Sequence, residues 1–372
     1  MTYRLPAEWE PQDFVLLTWP NATTDWAPYL QDIQQTVAEM VRVIARHEDV
    51  VLVTMFRNDV PEEFREMEHV FVVELPNNDT WTRDFGPIVL KREGASSPSA
   101  TANGADAKET LWLDFCFNGW GEKFLAYWDN LIPLKLWTLY GFMDECDYED
   151  HQDFVLEGGS IDTDGQGTLF TTSQCLLAPH RNQPLTQAEI EEQLKRRLHV
   201  GRVVWLDHGN LVGDDTDGHI DTIVRCAPQD TLVYVGCDDE ADEQYEDFQA
   251  LENQLKALRT ASGQPYRLLR LPMPDAIYEG QGPWGNGQEG SFEGQEERGK
   301  GQEAERLPAT YANFLIINGA VLVPTYAQPE KDAEALRIVQ QAFPDREMIG
   351  IDARTIIRQH GSVHCMTMQI PK

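Results

Sequence analysis

Four carboxylates, a glycine and a histidine are concentrated between Asp214 and Asp221, in the sequence DDTDGHID. Carboxylates this close repel one another unless a cation lies among them, so the segment suits either a metal ion or an organic cation. A calcium loop would carry a bidentate glutamate beyond its turn glycine, whereas Gly218 is followed by His219 and the mainly apolar run 222–226. The pattern therefore disfavours calcium, and a solvent-exposed acidic hairpin is the alternative to an organic cation.

Three further segments end apolar, strand-like runs with polar residues of the kind found in functional sites: 81–87 (WTRDFGP), 157–160 (EGGS) and 361–369 (GSVHCMTMQ). Cys365, in the last of them, follows a glycine-containing turn, where a thiol could react; a cysteine that only fills space in the core is the alternative. A thiolate, a histidine and several carboxylates suit a planar cation with an electrophilic carbon. Two carboxylates can hold a guanidinium flat while the thiolate approaches its central carbon.

The segments that must position these groups repeat a pattern of helices and strands. Amphipathic helices are predicted at 27–47, 125–140, 186–198, 238–261 and 330–343, and each leads into short apolar strands. Small αβ units repeated in this way gain stability by packing against one another, so the pattern predicts a closed radial array. A doubly wound sheet is the alternative, although no glycine-rich phosphate loop follows the first strand.

The length of 372 residues and a hydrophobic content of 41% predict a folded protein, which we interpret as a single catalytic domain over residues 1–372. Two stretches fall outside the repeating pattern, Arg92–Glu109 and Glu279–Leu307, the second rich in Gly, Glu and Gln. Both are predicted to be surface insertions. Whether 279–307 covers a cleft or is a passive loop is left open.

The formal net charge of −32 excludes nucleic-acid binding through phosphate neutralisation, and it attracts small cations. Adaptation to a high-salt habitat is the alternative explanation for most of this charge. The six cysteines form no CxxC pair, which favours free thiols in a reducing compartment. Because neither an export signal nor a membrane-spanning apolar run is visible, a cytoplasmic location without membrane contact is predicted.

Taken together, the motifs resemble those of the agmatine deiminases and the related Porphyromonas-type peptidylarginine deiminases, members of the guanidine-modifying superfamily. The resemblance rests on LPAEWEPQ, WTRDFGP, EGGS, DTDGHIDT, YANFLIINGAVLVPTY and GSVHC followed by MTMQIP, and it extends from residue 5 to residue 371. It implies an α/β fold, the five-bladed αβ propeller of the pentein type, with ββαβ units around a central site. Two departures from the usual family sequence are QHGS at 359–362 in place of GGGN, and Met368 in place of glutamine.

The resemblance implies covalent catalysis by three residues. Cys365 is the nucleophile, His219 the general acid and base, and Glu157 the carboxylate that binds a substrate nitrogen and supports proton transfer. The implied reaction converts agmatine and water to N-carbamoylputrescine and ammonia, a hydrolysis of a C–N bond in putrescine synthesis that uses no metal and no organic cofactor. Deimination of peptidyl-arginine or of another guanidine is the alternative, and an inactive guanidine-binding protein is a further one.

The resemblance also implies how the substrate is bound. Asp84 and Asp221 hold the guanidinium group, and Trp81 and Asp215 line the channel for the tail and the distal amine. The expected partner is thus a small cationic guanidine, with no nucleic acid and no membrane, and the sequence leaves a homodimer open.

Overall fold

A computed structural model describes residues 2–93, 108–279 and 304–372. These residues form a mixed α/β fold. Its strands are β1 (Tyr3–Arg4), β2 (Gln12–Thr18), β3 (Asp49–Thr54), β4 (Val70–Glu74), β5 (Ile88–Arg92), β6 (Thr110–Cys116), β7 (Asp147–Val155), β8 (Ile161–Thr163), β9 (Thr168–Thr172), β10 (Arg202–Leu206), β11 (Val224–Ala227), β12 (Thr231–Gly236), β13 (Arg267–Pro272), β14 (Ile277–Tyr278), β15 (Arg306–Leu307), β16 (Leu315–Ile317), β17 (Ala320–Thr325), β18 (Glu347–Asp352) and β19 (Thr367–Pro371). Its α-helices are α1 (Leu30–Ile44), α2 (Glu62–Glu66), α3 (Thr82–Phe85), α4 (Gly119–Glu122), α5 (Ile132–Leu139), α6 (Ser173–Leu176), α7 (Gln187–Leu198), α8 (Tyr245–Ala257) and α9 (Pro329–Ala342).

The described strands form several small sheets. Two sheets have four strands, in the orders β19-β2-β3-β4 and β1-β5-β6-β7, and three have three, in the orders β10-β9-β8, β11-β12-β13 and β16-β17-β18; β14 and β15 form a separate pair. Each of the five larger sheets contains an antiparallel pair followed by a parallel strand that the chain reaches through a long helix. The ββαβ order therefore occurs five times, and the C-terminal strand β19 completes the unit that begins with β2.

The five connecting helices α1, α5, α7, α8 and α9 correspond to the five predicted from the apolar spacing, which confirms that part of the sequence interpretation. Helix α7 begins where expected because Thr186 and Glu189 form a reciprocal capping box. Helix α5 is shorter than predicted, because Pro133 lies in its first turn and the preceding residues Asp129–Leu131 form a 3-10 turn. Helix α8 likewise begins only at Tyr245, after the acidic turn that follows β12.

The core strands of these units are buried on both faces, which explains their continuous apolar sequences. All six residues of β12 are buried, and so are the first five of β17. Helix α1 covers one such sheet with Ile33, Val37 and Met40, each fully buried. Each fully buried aliphatic side chain of this kind stabilises the fold by about 1.5 to 3 kcal/mol.

The fold brings distant segments together because equivalent positions of the five units meet. Helix α3 precedes β5, the 3-10 turn Gly158–Ser160 precedes β8, and the 3-10 turn Ile220–Thr222 precedes β11; these three segments pack on one another. Cys365 lies just before β19, and Asn313 lies just before β16. Each unit therefore supplies one polar segment, immediately before its first strand, to a common place.

The two predicted insertions, 92–109 and 279–307, fall mostly outside the described residues. At their described edges, Arg92 ends β5, and Arg306 and Leu307 form β15, with Leu307 buried in the core. None of the helices in the described ranges has the length and the apolar character that crossing a bilayer requires.

Candidate active site

A cavity of about 610 Å³, here called the site cavity, opens where these segments meet. Acidic and aromatic side chains form most of its wall, together with one thiol. The residues that line it are Asp25, Asp79, Trp81, Asp84, Trp120, Phe124, Asp215, Thr216, Gln359, His360, Gly361 and Cys365. Four residues predicted for the site, Trp81, Asp84, Asp215 and Cys365, are therefore in its wall.

Cys365 is buried at the inner end of this cavity. The Asn313 side-chain amide donates a hydrogen bond to its Sγ at 3.2 Å, and Sγ lies 3.7 Å from Oδ2 of Asp221. Burial, followed by the nearby carboxylates of Asp221 and Asp84, raises the pKa of the Cys365 thiol well above its usual range. The empty site therefore holds a neutral thiol, which a bound cation would make more acidic.

Asp84 is aimed into the site by donors from two other segments. The backbone N–H of Gly159 donates to Oδ1 at 3.0 Å, and Nε1–H of Trp120 donates to Oδ2 at 2.9 Å. Burial raises the pKa of Asp84 to about 6, although the positive charge of His219 opposes this. Gly159 has to be glycine, because a Cβ there would lie 2.6 Å from Nδ1 of His219 and 2.9 Å from Oδ1 of Asp84.

His219 is fully buried beside Asp84, with Nδ1 at 3.6 Å from Oδ1 of that carboxylate. Among the described residues neither ring nitrogen has a hydrogen-bond partner of ordinary geometry. Burial alone would lower the pKa of His219, but the neighbouring Asp84 carboxylate raises it well above its usual range. A buried imidazolium with unused N–H groups can donate a proton to a group that enters the site.

The acidic segment 214–221 divides into residues that shape the turn and residues that face the site. Asp214 accepts from the backbone of Gly218 at 2.7 Å, and Asp217 pairs with Arg181 at 2.7 Å and Lys123 at 2.9 Å. Asp221 is fully buried near Cys365, and Asp215 lines the cavity. The repulsion within this segment is thus relieved partly by the protein's own cations, and two carboxylates remain for a ligand.

Glu157 is fully buried and is held by Arg181, whose Nε donates to Oε1 at 3.0 Å. The same guanidinium donates through Nη2 to the backbone oxygen of Thr216 at 2.8 Å. Arg181 therefore fastens the EGGS turn to the acidic segment and places Glu157 behind the cavity wall. The sequence contains no motif that marks Arg181 for this position.

A sequence profile of the Porphyromonas-type peptidyl-arginine deiminase family matches residues 4–371. The chain belongs to this family. The match confirms the resemblance inferred from the ordered motifs, and it covers both the segment that contains Cys365 and the LPAEWEPQ segment.

Named relatives of the family are similar along their whole length. The agmatine deiminase of Medicago truncatula is 32% identical, with 99% of this chain and 95% of that protein covered. A solved structure of a serine-for-cysteine variant of C. jejuni agmatine deiminase, with substrate bound, is 34% identical, covers 100% of this chain and 97% of its own, and has a TM-score of 0.83. A Porphyromonas gingivalis structure named "putative arginine deiminase" is 44% identical, with 100% and 99% coverage and a TM-score of 0.83.

Two residues of the QHGS segment that precedes the cysteine, Gly361 and His360, lie at the site cavity. Gly361, which the QHGS segment retains, packs under Trp81, where a Cβ would lie 2.2 Å from a ring carbon of the indole. His360 lines the cavity next to Asp215, and its charge opposes the burial that raises the pKa of that carboxylate. The family turn is therefore replaced by one that adds an imidazole to the cavity wall.

Sequence reasoning missed several groups that line or support the site. Asp79 lies two residues before the WTRD motif, and burial raises its pKa to about 7, helped by the nearby charge of Asp25. Asp79 could have been suspected from its position, since NNDTWTRD continues the motif. Trp120 carried no such signal, because only the packed fold brings its segment to Asp84. Asn313 lies in the YANFLIINGAVLVPTY motif, but the motif alone does not show that its amide contacts Cys365.

Cys175 is a second buried thiol close to this site, and its position fits a cysteine with a part in catalysis. A carboxylate oxygen of Glu157, Sγ of Cys175 and a ring nitrogen of His219 lie within 4.8 Å of one another. Arg181 already occupies Glu157, and burial raises the pKa of Cys175, so we do not identify these residues as metal ligands. The expectation of a site without metal or cofactor stays a prediction.

Proposed function

We propose that the protein is an agmatine deiminase, which hydrolyses agmatine to N-carbamoylputrescine and ammonia. The observation that carries this proposal is the set of groups at the site cavity: the Cys365 thiol and the Asp84 carboxylate in its wall, Asp221 buried beside Cys365, and the further carboxylates of Asp25, Asp79 and Asp215. Full-length relatives at 32 to 36% identity that are named agmatine deiminases support the same activity. The family acts on C–N bonds, so the protein is a hydrolase.

In this proposal Asp84 and Asp221 hold the guanidinium of the substrate. Each carboxylate can accept two N–H groups from the planar cation, and the cation compensates charges that are otherwise buried without a partner. Oδ1 of Asp221 has no hydrogen-bond partner among the described residues, which leaves it free for a substrate N–H. The guanidinium carbon then lies within reach of Cys365.

The first half of the reaction forms a covalent intermediate. The bound cation lowers the pKa of Cys365, the thiol releases its proton to solvent, and the thiolate attacks the guanidinium carbon to give a neutral tetrahedral adduct. His219 protonates one amino group, the C–N bond breaks, and ammonia leaves. The product of this half is a cationic thiouronium on Cys365 and a neutral His219.

The second half restores the enzyme. His219 takes a proton from water, the resulting hydroxide attacks the thiouronium carbon, and the C–S bond breaks to give the ureido product. The Cys365 thiolate regains a proton as that product leaves. Glu157 supports these transfers from behind the wall, and Trp81 packs along the substrate tail.

Agmatine, rather than free arginine, fits the charges along the cavity. Asp25, Asp79 and Asp215 supply carboxylates for the distal ammonium, and no lysine or arginine is among the described residues that line the cavity. The α-carboxylate of free arginine would meet these acids without a cationic partner. Peptidyl-arginine remains the second candidate, because the family to which the chain belongs is described as peptidyl-arginine deiminases of the Porphyromonas type.

The five ββαβ units support a further structural proposal. They are consistent with a five-bladed αβ propeller of the pentein type, in which the polar segments before each first strand surround one central site. A cytoplasmic location and assembly as a homodimer stay predictions from the sequence.

Ammonia release measured side by side from agmatine, free arginine and a blocked arginine peptide tests the proposal. We expect turnover of agmatine at a kcat/KM at least about a hundredfold above that of free arginine, since the wrong substrate leaves a buried charge unpaired. Faster turnover of free arginine or of the peptide would contradict the substrate assignment. Absence of ammonia release from all three would contradict the deiminase function itself.

A further inference from the structure

A second cavity lies next to the site, and among the described residues it shares no lining residue with the site cavity. It encloses about 590 Å³ and is mainly apolar, but Glu8, Arg83 and Asp162 place charges in its wall. Consecutive residues of the chain line different cavities: Arg83 lines the second cavity, whereas Asp84 lines the site cavity. The wall between the cavities is therefore a single layer of polar side chains.

His364 lies in this wall, between a carboxylate that belongs to the site and one that lines the second cavity. Its Nδ1 is 2.7 Å from Oδ2 of Asp221, and its Nε2 is 2.9 Å from Oε1 of Glu8. Ionised carboxylates only accept hydrogen bonds, so both ring nitrogens have to donate, which requires the imidazolium form. Nη2 of Arg225 donates to Glu8 and also lies 3.1 Å from Nε2 with hydrogen-bond geometry. A ring that accepted there would turn a lone pair toward Oε1 of Glu8, so the charges of the cluster decide between the two forms.

The surrounding charges agree with this form. His364 belongs to a buried ionic cluster of three acids and three bases: Glu8, Asp162 and Asp221 with Arg83, Arg225 and His364. The sum of these charges is zero only when His364 is protonated. A buried cluster with an uncompensated charge would be costly, so the cluster itself favours the imidazolium.

The two carboxylates that face Cys365 are consequently unlike each other. Burial raises the pKa of Asp84 to about 6. Burial acts on Asp221 in the same direction, but the hydrogen bond and charge of His364, helped by His219 and Arg225, hold the pKa of Asp221 below its usual value. The charged and titratable groups near Asp221 are thus four cations, His364, His219, Arg225 and Arg83, together with the Cys365 thiol and the Asp84 carboxylate.

We propose that Glu8 and His364 are positioning residues that keep Asp221 ionised and oriented for the guanidinium of the substrate. Neither residue lines the site cavity, so they act through Asp221 and not by touching the substrate. Glu8 holds His364 from the second cavity, and His364 holds the carboxylate of the site. This inference rests on the proposed deiminase function.

The decisive variant is His364→Asn, whose amide can still donate to Asp221 but carries no charge and does not reach Glu8. The measurement is kcat and KM for agmatine between pH 5 and pH 9. Without the His364 charge, burial should raise the pKa of Asp221 above that of Asp84, which sets the acid limb in the wild type. We therefore expect the acid limb of kcat/KM to move upward by about one pH unit, which is a loss of roughly tenfold near pH 6, mainly through KM. At alkaline pH the variant should approach the wild-type kcat/KM, because Asp221 is then ionised without help.

Glu8→Gln should move the acid limb in the same direction and by less, since His364 still donates to Asp221 and the charge of Arg225 still favours that carboxylate. Glu10→Gln is the matched control, because Glu10 also lines the second cavity but pairs with Arg4 and does not contact His364. The control should leave the pH profile unchanged. A merely structural role for His364 would lower kcat/KM equally at every pH, and that result would overturn the proposal.

Histidine ¹⁵N NMR of the wild-type protein gives a measurement that does not depend on the folding of any variant. We expect both ring nitrogens of His364 to be protonated at pH 7.5, and a neutral ring would overturn the proposal. A wild-type protein that does not hydrolyse agmatine would instead contradict the proposed function. Normal turnover with an unmoved acid limb in His364→Asn would contradict only the role of Glu8 and His364.

Discussion

The two sides of the wall between the cavities differ in how their polar atoms are paired. On the side of the second cavity, Arg225 uses Nε for Asp162, Nη1 for the backbone oxygen of Phe314 and Nη2 for Glu8. On the site side, His219 and Oδ1 of Asp221 have no hydrogen-bond partner among the described residues. A buried polar group without a partner costs free energy, so such groups are retained where a ligand supplies the missing contact.

This difference indicates that one side of the wall stabilises the fold and the other side binds the ligand. The side of the second cavity contributes a rigid support, since Arg83 pairs with Glu8 and Arg225 pairs with Glu8 and Asp162. Among the described residues that line this cavity, Nε of Arg83 and Oε1 of Gln12 are the buried side-chain polar atoms without a hydrogen-bond partner. The site side is complete only when a cation is bound. The neighbouring residues Gly158 and Gly159 illustrate the division, because a Cβ at 158 would contact Arg83 and a Cβ at 159 would contact His219.

The largest expected effect is the loss of the nucleophile. Cys365→Ser should reduce kcat for agmatine by a factor on the order of 10⁴ or more, because a hydroxyl is a much weaker nucleophile than a thiolate. Agmatine should still bind, as measured by calorimetry, since the carboxylates remain. Cys237→Ser, at another buried cysteine, is the control and should keep normal turnover. Full activity of Cys365→Ser would assign the chemistry to another thiol, with Cys175 the first to examine.

The second prediction concerns the charge of the site side. Asp84→Asn keeps the size of the side chain but removes the charge that faces the guanidinium, a loss of about 2 to 4 kcal/mol, or roughly thirtyfold to a thousandfold in kcat/KM. Asp150→Asn, at an exposed carboxylate of β7, should change kcat/KM by less than about twofold. Near-normal kcat/KM in Asp84→Asn would mean that Asp84 does not hold the guanidinium.

The third prediction tests whether the site needs a residue without a side chain at position 159. Gly159→Ala introduces a methyl group within 2.9 Å of both His219 and Asp84, so it should displace them and lower kcat by about a hundredfold. Gly201→Ala is the matched control, because a Cβ there meets nothing closer than the backbone oxygen of Gly167 at 3.9 Å. Equal activities of the two variants would show that the site tolerates a shift of these side chains.

The smallest effect concerns one donor on the site side. The indole N–H of Trp120 donates to Asp84 and lowers the pKa of that carboxyl group. Trp120→Phe removes this N–H, so the pKa of Asp84 should rise from about 6. Asp84 binds the guanidinium only as a carboxylate, so activity falls as pH drops through this pKa, and the variant should lose activity at a higher pH than the wild type. The expected upward movement of the acid limb of kcat/KM is about half to one pH unit. Trp128→Phe should not move it, since its indole N–H makes no contact with Asp84.

The sequence alone predicted the family, the five connecting helices and a set of seven site residues. Four of these residues line the site cavity, and Glu157, His219 and Asp221 are fully buried next to it. The helices were predictable because apolar spacing and capping are local properties. The site segments were recognisable because polar residues at the end of apolar, strand-like runs are of the kind found in functional sites. The structure shows that these segments lie directly before β5, β8, β11 and β19.

Only the tertiary structure decided how these residues are paired. Which of the acids in 214–221 faces the site depends on Arg181 and Lys123, which come from other segments and carry no motif. The roles of Trp120 and Asn313 as donors to Asp84 and Cys365 arise in the same way, from contacts between units far apart in the chain. Residue types and spacing can therefore predict which chemistry is present, but the charge state of each group depends on burial and on neighbours that meet only when the units pack.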